Sequence, residues 1–386
     1  MRMQKILPLL VCAGFCCLAA TPVSLARHRS KDVFLDNHPT LPLGAAAPDF
    51  HLKGVDDKYY GLGDFRSARI LVIVFTCNHC PTAQAYENRL IQLSADYKGK
   101  GVALLAIMPN DPRSVQLAEL GYTDMGDTFE EMKKRAQEKQ FNFPYLFDGD
   151  TEATAKAYGP VATPHVFIFD QDRKLRYQGR IDDMEKPTKT PVHIDTRHAI
   201  DELLAGKQVS VSSTKVFGCS IKWQEKSDWK IKAQQQWAGE PVNTTVLDEK
   251  GIREIMQNHS DKLRLINVWA TWCGPCLAEF PDLITMYHMY RGRDFELVTI
   301  SADDPAKREK VLQFLQKAVA SNTNYTINTD DKYNLIEAVD PNWQGALPYT
   351  LLVEPGGKIV FSKQGEFDPD ELKRAIVDNP RIGRYY

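Results

Sequence analysis

The pattern of apolar and polar positions gives the same order of elements twice along the chain. In the second half, an apolar run at 263–270 is followed by an amphipathic helix at 275–290 and a second strand at 295–301. A further helix starts at Asp304-Pro305, and a Pro-Gly-Gly turn then separates two more strands before a last helix. This pattern predicts the order β-α-β-α-β-β-α, a mixed sheet with helices on both faces.

The first half repeats this order. Its strand at 69–75 leads into a helix at 81–97, and a second strand follows at 102–108. Polar helical stretches at 113–140 then precede two paired strands and a closing helix at 195–204. The fold class predicted for the whole chain is therefore α/β, with two domains that each contain a mixed β-sheet with helices on both faces.

These patterns divide the chain into four segments. We expect residues 1–26 to be a targeting signal, 41–205 a first domain, 206–240 a connector and 241–386 a second domain. The connector contains three tryptophans, which a purely flexible linker would lack. We therefore expect it to dock on a domain surface.

The start of the chain has the pattern of a secretory signal. Arg2 and Lys5 precede an uncharged stretch at 6–20, and a small-residue cleavage pattern follows at 24–26. The apolar stretch is short for a membrane span, which needs about 20 apolar residues, so a retained N-terminal anchor is the alternative hypothesis. The pattern predicts export, to the bacterial periplasm.

Composition and charge narrow the class of partner. Of the 386 residues, 43% are hydrophobic and 25% charged, as in an ordinary soluble globular protein. The 48 basic and 50 acidic side chains give a net charge of -2, so nothing in the charge favours nucleic acid as a partner.

The cysteines indicate redox chemistry. Three of the eight lie in the predicted signal, and four of the remaining five form two C-x-x-C pairs. A disulfide across such a short loop is a weak stabiliser, because the entropy that a disulfide removes grows with loop length. The mature cysteines are Cys77, Cys80, Cys219, Cys273 and Cys276.

The second pair lies in a familiar motif. The sequence WATWCGPCLAEFP, with LPYTLLVEPGGKIV downstream, resembles thioredoxin and more specifically its exported TlpA/ResA-type branch. Cys273 follows a strand and opens a helix, where free N–H groups and the helix dipole stabilise a thiolate. We expect Cys273 to attack and Cys276 to resolve the mixed disulfide, so that the resemblance implies a Cys273–Cys276 disulfide.

Several neighbours are expected to support this site. Trp272 should wall the exposed sulfur. The resemblance implies that Pro348 follows a cis peptide bond and that Leu347 pairs its backbone with a bound cysteine substrate. Thioredoxins carry a buried acid six residues before the first cysteine, where this chain has Asn267. The TlpA/ResA-type pattern gives the proton-acceptor role to Glu279 instead.

The first pair lies in VFTCNHCP, with GAAAPDF before it and ATPHVF after it. This segment resembles the redoxin family, the group of thioredoxin-fold proteins that includes the peroxiredoxins. The two resemblances together imply two thioredoxin-like domains. Alignment on Cys-Pro-Thr would make Cys80 the peroxidatic residue. The threonine and proline that orient peroxide are replaced by Cys77 and Ile73, which favours thiol–disulfide exchange through a Cys77–Cys80 disulfide. We expect Cys77 to be the attacking thiolate, stabilised by His79.

Two further predictions concern the surroundings of the first site. The resemblance gives Thr163 and Pro164 the roles of a second cis-proline site, with the threonine next to a bound substrate strand. Cys219 is unpaired by spacing, and it is either a third thiol that returns to the active site or an inert buried cysteine.

Together these features predict an exported thiol–disulfide oxidoreductase that acts on cysteine-containing exported proteins and exchanges electrons with a redox partner. It would use only its own cysteines, with no cofactor or metal. The alternatives are a thiol peroxidase in the first domain and a Cu(I)-binding module. We expect the first pair to be the more oxidising because of His79, so that electrons run from the second pair to the first, with Cys219 as a relay if the domains face each other.

Overall fold

The computed structural model describes residues 38–184, 190–328 and 331–384. The predicted signal at 1–26, with its cleavage pattern, lies outside the described residues. Within the described part of the chain, no helix is both long and apolar enough to span a membrane.

The first domain is built on a seven-stranded mixed sheet with the order β2-β1-β5-β4-β3-β6-β7. The central β3, β4 and β5 are parallel, and β6 runs antiparallel to β3. Every residue of β3 is buried, as its continuous apolar sequence predicts. The strands are β1 (His51–Gly54), β2 (Tyr59–Gly61), β3 (Ile70–Phe75), β4 (Val102–Met108), β5 (Tyr145–Phe147), β6 (His165–Phe169) and β7 (Leu175–Gly179).

The helices cover this sheet and set the start of the first site. The helix after β3 begins at Pro81, because proline suits the first helical position, and Cys80 is its N-cap. The helical stretches predicted at 113–140 are two 3-10 turns, Pro112–Ser114 and Leu117–Leu120, and an α-helix that begins at Phe129, where Thr128 and Glu131 form a capping box. The helices are α1 (Pro81–Tyr97), α2 (Phe129–Lys139), α3 (Ala153–Tyr158), α4 (Asp195–Leu204) and, in the connector, α5 (Trp229–Ala238).

The second domain has a six-stranded sheet with the order β13-β12-β9-β10-β11-β8. The strands are β8 (Thr245–Leu247), β9 (Leu263–Trp269), β10 (Phe295–Ser301), β11 (Thr323–Ile327), β12 (Tyr349–Glu354) and β13 (Lys358–Gln364). The helices are α6 (Glu249–Gln257), α7 (Gly274–Tyr290), α8 (Arg308–Lys317), α9 (Lys332–Val339) and α10 (Pro369–Asp378).

The two sheets share a four-stranded core. In both, the strand before the C-x-x-C motif lies between a parallel strand on one side and an antiparallel hairpin on the other, as β4-β3-β6-β7 and as β10-β9-β12-β13. This arrangement confirms the predicted fold class of two mixed sheets with helices. The sequence does not predict the strands β1, β2, β5, β8 and β11, because they are short or only partly apolar.

The predicted connector packs on both domains. Trp223 is buried in the core of the first domain, and Trp229 donates its indole N–H to the carbonyl of Arg113 at 2.9 Å. Trp237 stacks on His288 of α7, with ring centroids 3.8 Å apart. The tryptophans therefore dock the connector, as their presence predicts.

The domains contact each other through the segment before α2 and the end of α7. The Tyr290 hydroxyl donates to the carbonyl oxygen of Thr123 at 3.0 Å. The buried Asp124 pairs with Arg384 at 2.7 Å and with Arg374 at 3.3 Å. Tyr290 lies at the C-terminal end of α7, opposite the end at which Cys273 caps the helix.

Candidate active sites

The two C-x-x-C motifs follow the same strand and lie beside the same kind of proline. The Thr163-Pro164 and Leu347-Pro348 peptide bonds are both cis, as predicted. Phe75 of β3 faces His165, the residue after Pro164, and Val268 of β9 faces Tyr349, the residue after Pro348. These two strand pairs allow the two sites to be aligned residue by residue.

Counting from that register makes Cys80 the counterpart of Cys273. Cys80 follows Phe75 by five residues, and Cys273 follows Val268 by five. Each is the N-cap of the following helix. Each sulfur also accepts a hydrogen bond from the N–H three residues later, at 3.5 Å from Ala83 and at 3.3 Å from Cys276.

The first motif is therefore shifted by three residues relative to the second. The position of Cys276 is occupied by Ala83, and Cys77 lies before the helix rather than at its start. Cys77, the expected attacking thiolate, does not cap the helix, because Pro81 fixes the first helical turn and leaves Cys80 as the cap. The partner thiol of Cys80 thus approaches from the preceding loop.

The second site holds a disulfide between Cys273 and Cys276, as expected. The indole of Trp272 is 59% exposed, and the Lys332 ammonium lies 4.9 Å from its ring centre. Leu347 packs against both cores of the second domain next to the cis bond.

Glu279 lies buried on α7 behind this disulfide. Its carboxylate accepts hydrogen bonds from the Asn267 side chain at 3.0 Å and from the Phe367 N–H at 3.3 Å. Burial raises the pKa of Glu279 to about 7, although both hydrogen bonds oppose the shift. Such a carboxyl can take up or release a proton near neutral pH. Asn267, at the position of the acid in thioredoxins, therefore contacts the acid that replaces it.

The first site contains three free thiols: Cys77, Cys80 and Cys219. The disulfide expected between Cys77 and Cys80 is not formed in this structure, which shows the dithiol state. The Cys77 sulfur lies 3.1 Å from the Thr163 hydroxyl, and the Cys80 thiol donates to the Thr163 carbonyl at 3.3 Å. The side chain of Cys80 is 0% exposed.

The surroundings favour the thiolate at Cys80. Burial raises the pKa of the Cys80 thiol, but hydrogen bonds from Cys219, Cys77 and the Ala83 N–H, together with the charge of His79, hold it well below its usual range. Burial, hydrogen bonding to Cys80 and the negative charge of Asp127 raise the pKa of Cys77 well above its usual range. The structure thus reverses the expected order of the two thiols.

His79 is held by an acid that the sequence did not single out. Its Nδ1 lies 2.6 Å from Asp127 Oδ2, and both side chains are buried. Burial lowers the pKa of His79, but the charge of Asp127 and the hydrogen bond to it give a net rise. Asp127 also accepts hydrogen bonds from Asn110 Nδ2 at 2.7 Å and from the backbone N–H of Asn78 at 2.9 Å. A buried imidazolium is thereby fixed beside the thiols.

Cys219 returns to the first site. It forms an antiparallel bridge with Thr163, whose N–H donates to the Cys219 carbonyl at 2.9 Å. Its thiol hydrogen-bonds to Cys80, and this contact, followed by burial, raises its pKa. Cys219 is only partly buried. Of the two readings of Cys219, the structure favours a third thiol at the site.

The two sites lie near opposite ends of α7. Asn78 and Thr123 both accept from the Gln84 amide, so the first site adjoins the domain contact at Tyr290. Cys273 caps the other end of α7, which has 17 residues and a length of about 24 Å. Cys219 lies at the first site, and its role as a relay between the two pairs stays a prediction.

Known proteins match both halves. Residues 43–178 match the AhpC/TSA family and residues 237–379 match the Redoxin family. The chain is 27% identical over 118 residues to thiol-disulfide oxidoreductase ResA of Bacillus subtilis (strain 168), covering 31% of this chain and 62% of that protein. It is 27% identical over 144 residues to ResA of Bacillus thuringiensis (strain Al Hakam), covering 37% of this chain and 78% of that protein.

The chain thus spans less than two thirds of the Bacillus subtilis relative. An uncharacterized conserved protein from Geobacillus kaustophilus, of solved structure, is 41% identical, over 47% of this chain and 93% of that one, with a TM-score of 0.42. The family matches confirm the predicted tandem. The chain thus contains two family domains in tandem, one that matches the AhpC/TSA family and one that matches the Redoxin family, and it is similar to thiol–disulfide oxidoreductases.

Proposed function

We propose that this protein is an exported thiol–disulfide oxidoreductase that exchanges disulfides with protein substrates at both C-x-x-C sites. The observation that carries the proposal is the shared geometry of Cys80 and Cys273, each an N-cap beside a cis-proline loop. An N-cap cysteine beside unpaired N–H groups is suited to be a nucleophilic thiolate.

At the second site, the Cys273 thiolate attacks one sulfur of a substrate disulfide. The other substrate sulfur leaves as a thiolate and takes a proton, and Cys273 is left in a mixed disulfide. Glu279 accepts the proton of the Cys276 thiol, and the Cys276 thiolate attacks Cys273 and releases the substrate. The substrate gains two electrons, and the Cys273–Cys276 disulfide seen in the structure is the product.

At the first site, the same chemistry runs with the order of the cysteines reversed along the chain. Cys80 attacks, stabilised by His79 and by hydrogen bonds, and Cys77 resolves from the preceding loop. A dithiol reductant or a disulfide oxidant of the exported compartment is the redox partner that returns each site to its starting state.

Export rests on the N-terminal pattern at 1–26, which the described residues do not include. The expected compartment is the bacterial periplasm, with cysteine-containing exported proteins as substrates. Fractionation of cells that express the full chain, followed by mass measurement of its N-terminus, tests both export and cleavage after residue 26. A cytoplasmic chain with an intact N-terminus would overturn this part of the proposal.

Trapping tests the function as a whole. Cys276→Ser should accumulate mixed disulfides on Cys273, because the resolving thiol is missing. At the first site, Cys77→Ser combined with Cys219→Ser should accumulate them on Cys80. The matched control is the chain with Cys273→Ser, Cys276→Ser and Cys80→Ser, which should trap no mixed disulfide. Absence of mixed disulfides in every variant would contradict the proposal.

One observation bears on the Cu(I) alternative. The sulfur of Cys77, a ring nitrogen of His79 and a carboxylate oxygen of Asp127 lie within 4.8 Å of one another. Asp127 is already engaged by hydrogen bonds from His79, Asn78 and Asn110, so we assign this group to thiolate stabilisation. Titration of the reduced protein with Cu(I) against a competing chelator discriminates the two: stoichiometric retention of Cu(I) would favour the copper hypothesis.

A further inference from the structure

Residues 217–221 lie where the thioredoxin-like fold receives a substrate strand. The residue before the cis-proline offers its backbone to the strand that carries the substrate cysteine, as the family resemblance implies for both sites. At the first site this backbone is already paired: the Thr163 N–H donates to Cys219, and the two residues form an antiparallel bridge. At the second site, the backbone of Leu347 has no hydrogen-bond partner among the described residues.

This segment is held in place on both sides of Cys219. Gly218 adopts φ +146, and a Cβ there would lie 2.0 Å from the carbonyl oxygen of Thr163, so only glycine permits the close approach. Ile221 is buried in the core of the first domain. The Lys222 N–H donates to Asn110 Oδ1 at 2.9 Å, and Asn110 in turn binds Asp127 of the site.

The sulfur of Cys219 is placed for exchange with Cys80. The two thiols are hydrogen-bonded, and Cys80 is fully buried while Cys219 is partly exposed. Cys77 also contacts Cys80, so the attacking sulfur has a thiol neighbour from the preceding loop and another from the connector. The segment thus covers Cys80 as a bound substrate would.

We propose that residues 217–221 are a built-in substrate of the first site, in which Cys219 takes the place of the substrate cysteine and forms a disulfide with Cys80. This inference rests on the proposed function of the first site and names its first partner. A small disulfide needs only a local opening of the segment to reach the buried Cys80, whereas an external protein strand has to displace the segment from Thr163.

With a small disulfide such as oxidised glutathione, the disulfide forms in two exchange steps. The Cys80 thiolate attacks one glutathione sulfur, and the other leaves as a thiolate that takes a proton. Cys219, after losing its proton, attacks Cys80 and releases the second glutathione. The chain loses two electrons and the proton of Cys219, and glutathione disulfide gains the two electrons, this proton and one proton from solvent, because Cys80 reacts as a thiolate that has already released its own proton. Attack of Cys77 on the Cys80–Cys219 disulfide then yields Cys77–Cys80 without further change in electron count.

The first experiment maps the disulfides of full chains in which Cys273→Ser and Cys276→Ser silence the second site. With Cys77→Ser added, treatment with oxidised glutathione should give at least tenfold more Cys80–Cys219 disulfide than glutathione adduct on Cys80. With Cys219→Ser added as well, the adduct on Cys80 should persist. A persistent adduct while Cys219 is present would overturn the inference. No adduct even without Cys219 would instead overturn the proposed function of the first site.

The second experiment displaces the segment without removing a thiol. The background chain again carries Cys273→Ser, Cys276→Ser and Cys77→Ser. In this chain, Gly218→Ala should increase at least tenfold the rate at which Cys80 forms a mixed disulfide with an extended peptide that contains a disulfide. Gly63→Ala is the matched control, because a Cβ at Gly63 meets nothing within 4 Å. An equal or slower rate in a Gly218→Ala chain with unchanged near-ultraviolet circular dichroism would overturn the inference.

Discussion

Cys80 and Cys273 occupy the same position in the two sheets, five residues after a strand residue that pairs with the neighbour of a cis-proline. The equivalence arises because both cysteines cap the helix that follows the strand. It means that a sequence spacing of C-x-x-C conceals two different arrangements. The partner thiol lies in the first turn of the helix in the second domain and before the helix in the first.

The thiolate of the first site should be on Cys80. In the chain with Cys273→Ser and Cys276→Ser, thiolate absorbance near 240 nm at pH 7 should report about one thiolate per protein. Cys80→Ser should abolish this signal, because burial and hydrogen bonding keep the other thiols protonated. Cys77→Ala serves as the comparison and should retain most of it. Loss of the signal on Cys77→Ala alone would reverse the assignment.

Asp127 should control that thiolate through His79. Asp127→Asn removes the charge that favours the protonated imidazole, so the pKa of Cys80 should rise by about one unit, which corresponds to about 1.4 kcal/mol of lost thiolate stabilisation. Asp111→Asn, an acid nearby in the chain that pairs with Arg113 instead, is the control. Titration of the 240 nm absorbance measures the shift, and an unchanged midpoint would leave Asp127 with a structural role only.

The His79–Asp127 pair should also affect stability with a definite sign. The pKa of His79 is raised in the folded state, so its contribution is fully present below the unfolded value of about 6.5 and is lost as pH rises through the folded value. The difference in free energy of unfolding between the parent chain and His79→Gln should therefore shrink as pH rises above neutral. Urea unfolding at several pH values measures it, and a constant difference would contradict the account.

Glu279 should give the second site a pH dependence centred near 7. Above its pKa of about 7 the carboxylate can accept the proton of Cys276, so the resolving step should accelerate through this pH in the parent chain. Glu279→Gln should flatten the profile and slow release about a hundredfold at pH 8, the lower end of the usual range for a lost general base. Asp282→Asn, an exposed acid on the same helix, should keep the rising profile. Stopped-flow measurement of mixed-disulfide decay distinguishes these results.

The first site should be the more oxidising of the two. Stabilising the Cys80 thiolate favours the dithiol over the disulfide, and 30 mV corresponds to about 1.4 kcal/mol for a two-electron couple. Full chains with one site changed to serine, equilibrated in glutathione buffers, give each potential separately. His79→Ala should lower the potential of the first site. A first site that is more reducing than the second would contradict this prediction.

Much of the scaffold follows from the sequence. The continuous apolar runs identify β3 and β9, and Asp368-Pro369 identifies the start of α10, because buried strands and capped helices have strong local signals. The role of Cys80 as the helix cap also has a local signal in the sequence. Pro81 directly follows it, and proline at the first helical position makes the preceding residue the cap.

Other parts of the site could not be predicted from local pattern. Asp127 lies in a loop 48 residues from His79 and carries no motif, so only the folded chain shows that the two meet. The bridge between Cys219 and Thr163 likewise depends on where the connector crosses the first domain. Long-range contacts of this kind arise from tertiary packing, which periodicity and spacing do not encode.

The central claim is that Cys80, like Cys273, is the attacking thiol of its site. It is tested most directly by comparing two second-site-silenced chains that keep one thiol each in the first site. One chain carries Cys77→Ser and Cys219→Ser and keeps Cys80; the other carries Cys80→Ser and Cys219→Ser and keeps Cys77. At pH 7, oxidised glutathione should form a mixed disulfide with the first chain at least tenfold faster than with the second. Faster reaction at Cys77 would contradict the account.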